Sequence, residues 1–268
     1  MQGLGTPLPN QHSEVVQESL PGTYDVTEFV AETLLPTRTG KYRLRGYRHT
    51  FDGGRTYTEP SVIMTGRPEN GSEIPVRVHD ACFTSEVLGS LKCDCAGQLQ
   101  MAMGYIQENG PGLIIYLQQE GRGIGLANKI AAYALQEEGL DTVDANRALG
   151  LPDDCREYSS VRNILQNLGI RSIRLMTNNP RKIKVLEELG VVVTARIPCI
   201  MKAQEHNMGY LATKQARMSH WMDDGPDSLD GSYCFWNHDG EPLKPSVLKG
   251  PPTPPQLPNS NGKLIGRP

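Results

Sequence analysis

Three cysteines in the first half of the chain are spaced like metal ligands. Cys93 and Cys95 form a C-x-C pair, and Cys82 lies eleven residues before Cys93. Thiolates suit zinc, which prefers soft sulfur donors in tetrahedral geometry. Structural zinc sites usually have four protein ligands, whereas three cysteines leave a fourth position for a water whose pKa the metal lowers towards neutrality. The spacing therefore predicts a hydrolytic zinc site, and the alternative is a group of buried thiols that pack as small apolar side chains.

Two further segments have the residue types that bind anions. In the turn at residues 120–125, EGRGIG, glycines let the backbone approach a ligand, and the amides of the following helix favour negative charge. The segment LMTNNPRKIK places Thr177, Arg181 and Lys182 at a second junction between a strand and a helix. Together the two junctions could hold a triphosphate. The alternatives are a tight packing turn and an ordinary solvated helix face.

Candidates for proton transfer follow in the segment DDCREY. It places Asp154 and Arg156 two residues apart in a predicted loop, so both side chains can point into one site. Asp154 could accept a proton or orient water, and Arg156 could bind a phosphate. The alternative is an acidic residue at a helix start beside a surface arginine. Tyr133, on a predicted helix, is more typical of a core. We expect His79 to pack within a strand, because the cysteines supply enough metal donors.

The elements that must position these residues follow an α/β pattern. KYRLRGYRHT, PSVIMTG and VRVHDACF are typical of strands, so the first half of the core is predicted to be β-rich. After the cysteines the predicted order is helix QLQMAMGYIQENG, strand GLIIYL, the glycine turn, helices ANKIAAYALQEEG and EYSSVRNILQNLG, strand IRLMTNN and helix PRKIKVLEELG. This alternation predicts a largely parallel sheet. For the last helix we predict Asn179 as N-cap, Pro180 as first residue and Gly190 as the stop.

We expect a single catalytic domain over residues 26–222. Residues 1–25 are polar and interrupted by proline, and residues 223–268 contain nine of the chain's 20 prolines. Both ends are therefore predicted to be flexible tails.

The composition limits the class of partner. A net charge of −3 gives no basic field that would attract nucleic acid or an anionic membrane surface. The N-terminus lacks the basic start and apolar run of a secretory signal, and no stretch approaches the roughly 18 apolar residues of a membrane span. The six cysteines do not form the pattern of a disulfide scaffold. We therefore expect a soluble, cytoplasmic protein with a small-molecule ligand.

Six motifs together point to a known family. In chain order they are R-V-H-D-A-C, S-L-K-C-D-C, Q-E-G-R-G-I-G-L, D-T-V-D-A-N, D-C-R-E-Y and L-M-T-N-N-P-R-K, and the sequence Y-L-A-T-K-Q-A-R-M-S-H follows. With this order and these intervals, residues 35–222 or so resemble the GTP cyclohydrolase II family.

The resemblance implies a role for each matching position. It implies zinc at Cys82, Cys93 and Cys95. The implied GTP contacts are Arg77, Val78, His79, Asp80, Ala81, Gln98, Glu120, Gly121, Arg122, Thr142, Thr177 and Lys182. Asp154 matches the family's proton acceptor, and Arg156 matches its proposed nucleophile towards the α-phosphorus. A guanidinium normally stays protonated, so we expect a phosphate contact from Arg156 rather than covalent attack. The hydroxyl of Tyr133 would assist.

The implied reaction is the first step of riboflavin biosynthesis. GTP and water give formate, diphosphate and 2,5-diamino-6-(5-phosphoribosylamino)pyrimidin-4(3H)-one, with zinc-activated water attacking guanine C8 and magnesium on the triphosphate assisting loss of diphosphate. The resemblance also implies a homodimer. The dihydroxybutanone phosphate synthase domain that some relatives carry upstream is not expected here, because about 25 polar residues cannot form it. The chain would then perform one step only.

The chain departs from the family beside the first cysteine. The family usually reads R-V-H-S-E-C, whereas this chain has Asp80 and Ala81, so a carboxylate is moved by one residue or lost. Along a strand, such a move points the group to the opposite face. The C-D-C-G turn is also C-D-C-A here, with Gly97 following. One alternative is therefore a paralogue that stops at the formamide intermediate or serves another pathway, such as pyrimidine breakdown.

A second alternative is a GTP-binding regulator with a closed, structural zinc site. It would require Cys155, Cys199 or Cys234 as a fourth ligand.

Overall fold

The computed structural model describes most of the predicted catalytic domain. The described residues are 15–16, 25–201, 211, 213–215, 217 and 220–221. The tail predicted at residues 223–268 lies outside them. Of the tail predicted at residues 1–25, the described part is Val15–Val16, a short strand, and Asp25, which is buried.

One mixed sheet organises the described residues. Its strands are β1 (Val15–Val16), β2 (Val26–Thr37), β3 (Gly40–Thr50), β4 (Ser61–Thr65), β5 (Ile74–Asp80), β6 (Gly112–Leu117), β7 (Ile173–Met176) and β8 (Val193–Ile197). Their order across the sheet is β1-β2-β3-β4-β6-β5-β7-β8. The helices are α1 (Phe83–Glu86), α2 (Cys95–Asn109), α3 (Leu126–Glu137), α4 (Thr142–Ala148), α5 (Ser159–Asn167) and α6 (Pro180–Glu188). A 3-10 turn spans Glu120–Gly123.

The two halves of the sheet differ in strand direction. From β1 to β4 every neighbour is antiparallel, and β4 also pairs antiparallel with β6. The strands β5, β6, β7 and β8 are mutually parallel, because helices connect them in chain order. The prediction of one α/β domain with a β-rich first half and an alternating, parallel second half is confirmed.

The central strands separate a hydrophobic core from a polar face. Along β5 successive side chains point to opposite faces, so Val76 and Val78 pack with Ile164 of α5 and Leu186 of α6. Arg77 and His79 alternate with these valines and lie on the other face of the sheet. Both are nevertheless buried, like the apolar residues of the same strand. Because a buried parallel strand is normally apolar throughout, two polar residues inside it indicate a functional face.

Local chemistry sets the ends of α6 as the sequence predicts. The Asn179 side chain accepts a hydrogen bond from the Arg181 amide at 3.0 Å, and Pro180 is the first helical residue. Gly190 follows the helix with a φ of 85°, a conformation that glycine adopts without strain. The junction between β7 and α6 is therefore fixed by its own sequence.

In the part of the chain that the structure describes, the longest helices fall short of the length and apolarity that a membrane crossing requires.

Candidate active site and metal centre

A cavity of about 1220 Å³ opens at the carboxyl ends of the central parallel strands. Ligand sites of open α/β sheets form at this edge, where residues that follow different strands meet. All the site residues predicted from the sequence line this cavity except Val78. The Val78 side chain is fully buried in the core, and its carbonyl accepts a hydrogen bond from Lys182 Nζ at 2.9 Å. Val78 therefore shapes the site through its backbone.

The three cysteine thiols converge at one end of the cavity. Cys82 follows β5, Cys93 lies just before α2 and Cys95 is its first residue. All three sulfurs lie within 4.8 Å of one another. The Sγ atoms of Cys82 and Cys93 are 3.7 Å apart. Two thiolates about 2.3 Å from a tetrahedral metal ion lie roughly 3.8 Å apart, so this spacing fits zinc. Three sulfur donors with this spacing could hold a metal ion.

The other described cysteines lie apart from this cluster. Cys155 is exposed, and its thiol donates to the Arg122 carbonyl at 3.4 Å. Cys199 is buried, and its Sγ lies 3.9 Å from the Gln98 carbonyl oxygen. Among the described residues, the cluster of potential metal ligands holds Cys82, Cys93 and Cys95. Cys234, the third candidate for a fourth ligand, lies outside the described residues.

The Cys82 thiol has donors on several sides. Lys129 Nζ lies 3.1 Å from its sulfur, and the Thr84 hydroxyl lies 3.6 Å away. Hydrogen bonds with the Cys93 and Cys95 thiols, together with Lys129, hold the pKa of Cys82 far below its usual value. The Cys82 thiol is therefore poised to ionise to a thiolate, the form that binds metal.

A carboxylate fixes the backbone of the same residue. Glu86 Oε1 accepts from the Cys82 amide at 2.8 Å and contacts His79 Nε2 at 3.0 Å. Its second oxygen accepts from the Tyr116 hydroxyl at 2.7 Å, and the His79 and Tyr116 rings stack at 5.6 Å. Burial lowers the pKa of His79, so the imidazole is neutral. His79 thus packs beneath the metal ligands, although it also lines the cavity.

Asp80 lies among cations in the same cavity. Its Oδ2 accepts from Arg156 Nη1 at 2.6 Å, from Lys182 Nζ at 2.9 Å and from the Tyr158 hydroxyl at 3.1 Å. Burial opposes ionisation, but the charges of Lys182 and Arg156 hold the pKa of Asp80 well below its usual range. The residue that departs from the family pattern therefore organises the cations of the site.

Asp154 holds the remaining edge of the Arg156 guanidinium. It accepts from Nε at 3.0 Å and from Nη2 at 2.6 Å, in the bidentate geometry that favours arginine and carboxylate pairs. Arg181 approaches the same carboxylate at 3.1 Å. Although burial would lower the pKa of Arg156, the two carboxylates raise it well above its usual value. The guanidinium is therefore a fixed, permanent cation.

The glycine turn packs against this loop. Gly121 and Arg122 have φ values of 61° and 64°, so the turn depends on left-handed backbone. The Cys155 amide donates to the Arg122 carbonyl at 3.1 Å. Glu120 accepts from Lys129 Nζ at 2.7 Å and from the Phe83 amide at 2.6 Å. Both Glu120 oxygens are thus engaged within the protein.

The floor of the cavity combines Arg77 with Gln98. Arg77 Nη2 donates to Gln98 Oε1 at 2.7 Å, and Nη1 donates to the Met176 carbonyl at 3.0 Å. Gln98 in turn donates to Asp94 Oδ2 at 2.6 Å. Arg77 Nε is buried, and no partner for it occurs among the described residues. This amide and guanidinium pair offers directional hydrogen bonds to a planar polar ligand.

The other predicted residues also line the cavity. Tyr133 lies on α3, half-buried, with Lys92 Nζ and Lys129 Nζ at 4.8 and 5.6 Å from its ring centre. Burial raises the pKa of Tyr133, so its hydroxyl stays protonated. Thr142 begins α4, and Thr177 Oγ1 accepts from the Asn179 amide at 3.1 Å.

Sequence reasoning missed several polar residues that contact the predicted site residues. They include Glu86, Asp94, Lys129 and Tyr158. Lys129 had a detectable signal, because it lies four residues before Tyr133 and therefore on the same helix face. Glu86 and Asp94 lie four residues from their partners Cys82 and Gln98. Tyr158 meets Asp80 across the fold, which spacing does not reveal.

Known proteins resemble this chain at the sequence level. The protein named Riboflavin biosynthesis protein RibBA from Chlamydia trachomatis serovar D is 47% identical over 204 residues, which cover 75% of this chain and 47% of that protein. The protein named GTP cyclohydrolase-2 from Shewanella sediminis is 44% identical over 195 residues, which cover 73% of this chain and 93% of that protein. The chain thus spans about half the length of the RibBA relative.

Structural similarity adds little to these matches. A solved structure described as RibBX, a two-domain 3,4-dihydroxy-2-butanone 4-phosphate synthase from A. baumannii, aligns with 58% of this chain and 35% of its own. The identity is 18% and the TM-score is 0.29, which is too weak to indicate a common fold.

A family model described as GTP cyclohydrolase II matches residues 28–198, which include the three cysteines, the glycine turn and the loop with Asp154 and Arg156. The extent of this match and the identities to the relatives show that the chain belongs to the GTP cyclohydrolase II family.

Proposed function

We propose that the chain is an enzyme that opens the guanine imidazole ring of GTP by hydrolysis. Formate and diphosphate leave, and 2,5-diamino-6-(5-phosphoribosylamino)pyrimidin-4(3H)-one remains as the first intermediate of riboflavin biosynthesis. The observation that carries this proposal is the cavity, which is lined both by three clustered thiols and by a cluster of cations. Such a cavity suits a ligand with a reacting base and a polyanionic tail. Relatives named GTP cyclohydrolase-2 support the assignment.

The thiols of Cys82, Cys93 and Cys95 would hold one zinc ion. When bound, zinc supplies a Lewis acid and an activated water for the hydrolysis at guanine C8. Arg77 and Gln98 lie on the polar floor of the same cavity and would hydrogen-bond the base. A base placed there presents its edge to these fixed donors and acceptors, which fixes its orientation.

Arg156, Lys182 and Arg181 would bind the phosphates. These three cations face two carboxylates, Asp80 and Asp154, so their excess positive charge is small. A triphosphate carries several negative charges, which supports a magnesium ion bound to the nucleotide.

Arg156 would act on the phosphates as a hydrogen-bond donor. Its guanidinium is held by Asp80 and Asp154 in the protonated form, which has no lone pair for attack on phosphorus. The charges of Arg156 and Arg181 outweigh burial and lower the pKa of Asp154, so this carboxylate stays ionised. An ionised Asp154 would accept a hydrogen bond from the attacking water and orient it. The protonated Tyr133 hydroxyl would donate to the opening ring.

Mass analysis of the products tests the proposal directly. Zinc-loaded wild-type protein with GTP and magnesium should give the diaminopyrimidine, formate and diphosphate. Cys93→Ser should lose zinc and at least about 100-fold in turnover, since removal of even an outer-sphere contact costs 10–100-fold. Cys155→Ser is the matched control for zinc content, because its exposed thiol lies outside the cluster. Intact GTP after incubation with zinc-loaded wild-type protein would refute the assignment.

The Asp80 and Ala81 departure motivates a second candidate, an enzyme that stops at the formamide. Asp80 contacts both Arg156 and Lys182, so this departure changes the polar side of the site rather than the thiols. Free formate in equal amount to consumed GTP supports complete hydrolysis, and a formyl group retained on the product supports the truncated reaction. A homodimer remains a prediction from the family resemblance, and a cytoplasmic location remains a prediction from the sequence.

A further inference from the structure

Lys129 connects the metal ligands with the glycine turn. Its side chain is 12% exposed, and Nζ lies 3.1 Å from Cys82 Sγ, 3.0 Å from Thr84 Oγ1 and 2.7 Å from Glu120 Oε1. An ammonium has three donors, so these contacts use all of them. The contact with Cys82 Sγ brings a cation directly against the cysteine cluster.

We propose that Lys129 is a positioning residue that fixes the Cys82 thiolate and sets the metal affinity and the electron donation of that sulfur. The inference rests on the proposed function, because it assigns to Lys129 a role in the same zinc site. It adds to that function a residue that neither the cysteine spacing nor the motif comparison identifies.

The charge on the cysteine cluster supports this role. Three thiolates around a divalent ion leave one excess negative charge, and the Lys129 ammonium, which Glu120 also holds, donates to one of these sulfurs. A hydrogen bond from N–H to a coordinating sulfur withdraws electron density from that sulfur, so the metal keeps more of its Lewis acidity. Since the fourth ligand position would hold the attacking water, such a bond favours its activation.

The fixed geometry of Lys129 gives the second support. Glu120 holds the ammonium, and its other oxygen accepts from the Phe83 amide at 2.6 Å, in the residue next to Cys82. Lys129, Glu120 and the Cys82–Thr84 backbone therefore form a closed ring of contacts. The ring joins α3, the glycine turn and the ligand-bearing segment, so Nζ cannot move away from the sulfur without breaking it.

Metal affinity tests the proposal without GTP. In chelator competition, Lys129→Met should bind zinc about 10–100-fold more weakly than wild type, the range typical of lost outer-sphere contacts. Lys129→Arg keeps a charged donor and should recover most of the affinity. Lys184→Met is the control, because it removes a lysine that is 78% exposed on α6. Its zinc affinity should equal that of wild type.

Absorption spectra of the cobalt-substituted protein report on electron donation from the cysteine sulfurs to the metal. In Co²⁺-loaded Lys129→Met the sulfur-to-metal charge-transfer band should move to lower energy, because the thiolate loses its hydrogen bond and donates more strongly. A purely structural role for Lys129 would lower the thermal unfolding midpoint and leave this band in place. Lys129→Arg should show the wild-type band.

The outcomes separate this inference from the enzyme assignment. Wild-type zinc affinity and an unshifted cobalt band in Lys129→Met would overturn the role of Lys129, whatever happens to GTP. A weakened affinity with a shifted band supports it, even if wild-type protein leaves GTP intact and the proposed function fails. If Lys129→Met does not fold, Lys129→Gln gives the same two readouts with a polar, uncharged side chain.

Discussion

Lys182 is a charged residue in an unfavourable environment. Its side chain is buried, and burial lowers its pKa to about 8, with Arg156 and Arg77 adding to the effect and Asp80 opposing it. At neutral pH the ammonium is still charged and donates to Asp80 and to the Val78 carbonyl. A modest rise in pH therefore removes a positive charge from the phosphate side of the cavity.

We expect the KM for GTP to rise as pH increases through 8. Above that value Lys182 loses its proton, and KM should increase by up to about tenfold per pH unit. Lys182→Arg, whose guanidinium stays charged, should move this limb to higher pH. Steady-state kinetics between pH 6.5 and 9.5 measure both profiles. A wild-type KM that stays constant to pH 9.5 would rule out a phosphate contact that depends on the Lys182 charge.

Stability should respond to the same group with the opposite sign. The pKa of Lys182 falls from 10.5 in its ordinary state to about 8 on folding, so protons bind more tightly to the unfolded chain. This contribution to stability is present above pH 10.5 and is lost as pH falls to 8.

The role of single residues could be predicted where the residues that act together lie in one short segment of the sequence. The spacing of Cys82, Cys93 and Cys95 predicts a shared metal site, and the structure brings their sulfurs together. The partners of Asp80 were not predictable, because Arg156 and Lys182 lie 76 and 102 residues further along the chain. Asp80, Arg156 and Lys182 come into contact only because the fold brings their segments together.

At the scale of elements, the glycine turn lies against the loop that contains Asp154 and Arg156 and limits where that loop can lie. Gly123 has a φ of 90°, and a Cβ built on it would lie 2.8 Å from Cys155 Sγ and 3.2 Å from the Cys155 carbonyl. Cys155 is flanked by Asp154 and Arg156. Because Gly123 has no side chain, the loop at Cys155 can pack closely against the glycine turn.

Gly123→Ala should reduce kcat/KM by about 10–100-fold, because displacing a positioned group by about 1 Å can cost 100-fold. The added methyl would push the loop that holds Asp154 and Arg156 away from the turn. Gly190→Ala is the matched control, since Gly190 has a φ of 85° and nothing within 4 Å of its built Cβ. It should lose about 1–2 kcal/mol of stability and keep wild-type kcat/KM. Equal kinetics for the two variants would contradict the close approach at Gly123.

Elements were predictable from sequence where their periodicity is long enough. The predicted helices in the second half correspond to α3, α5 and α6. The helix α4 was missed, because seven residues are too few to show a helical period, although Asp141 caps it through the Val143 and Asp144 amides. The outer half of β2 is exposed on both faces, so it lacks the alternation that identifies a strand.

At the scale of the whole molecule, a buried polar network joins the antiparallel half of the sheet to α5. Arg162 pairs with Asp25, and Asn163 Nδ2 donates to Thr27 Oγ1 at 3.0 Å. Thr27 Oγ1 lies 2.8 Å from His49 Nδ1. These hydrogen bonds connect β2 and β3 to α5, the helix that follows the loop with Asp154 and Arg156.

Arg162→Met should lower the free energy of unfolding by about 3–5 kcal/mol, the usual cost of removing one partner of a buried ion pair. The Arg162 and Asp25 side chains are 6% and 5% exposed, so water cannot replace the lost contact cheaply. Urea denaturation of the zinc-loaded protein measures the change. Arg171→Met, at an exposed position, should stay within about 0.5 kcal/mol of wild type. A similarly small effect for Arg162→Met would contradict the structural importance of the pair.

Asp80 Oδ2 is a single atom that receives three donors, from Arg156, Lys182 and Tyr158. Mutational effects at these four positions will therefore be epistatic, since the cost of losing one donor depends on which of the others remain. A serine at position 80 would free both cations at once, and changes at 156 or 182 that are harmful beside aspartate could then become neutral. A substitution at 156 or 182 is therefore expected to be tolerated only in lineages in which position 80 has already changed.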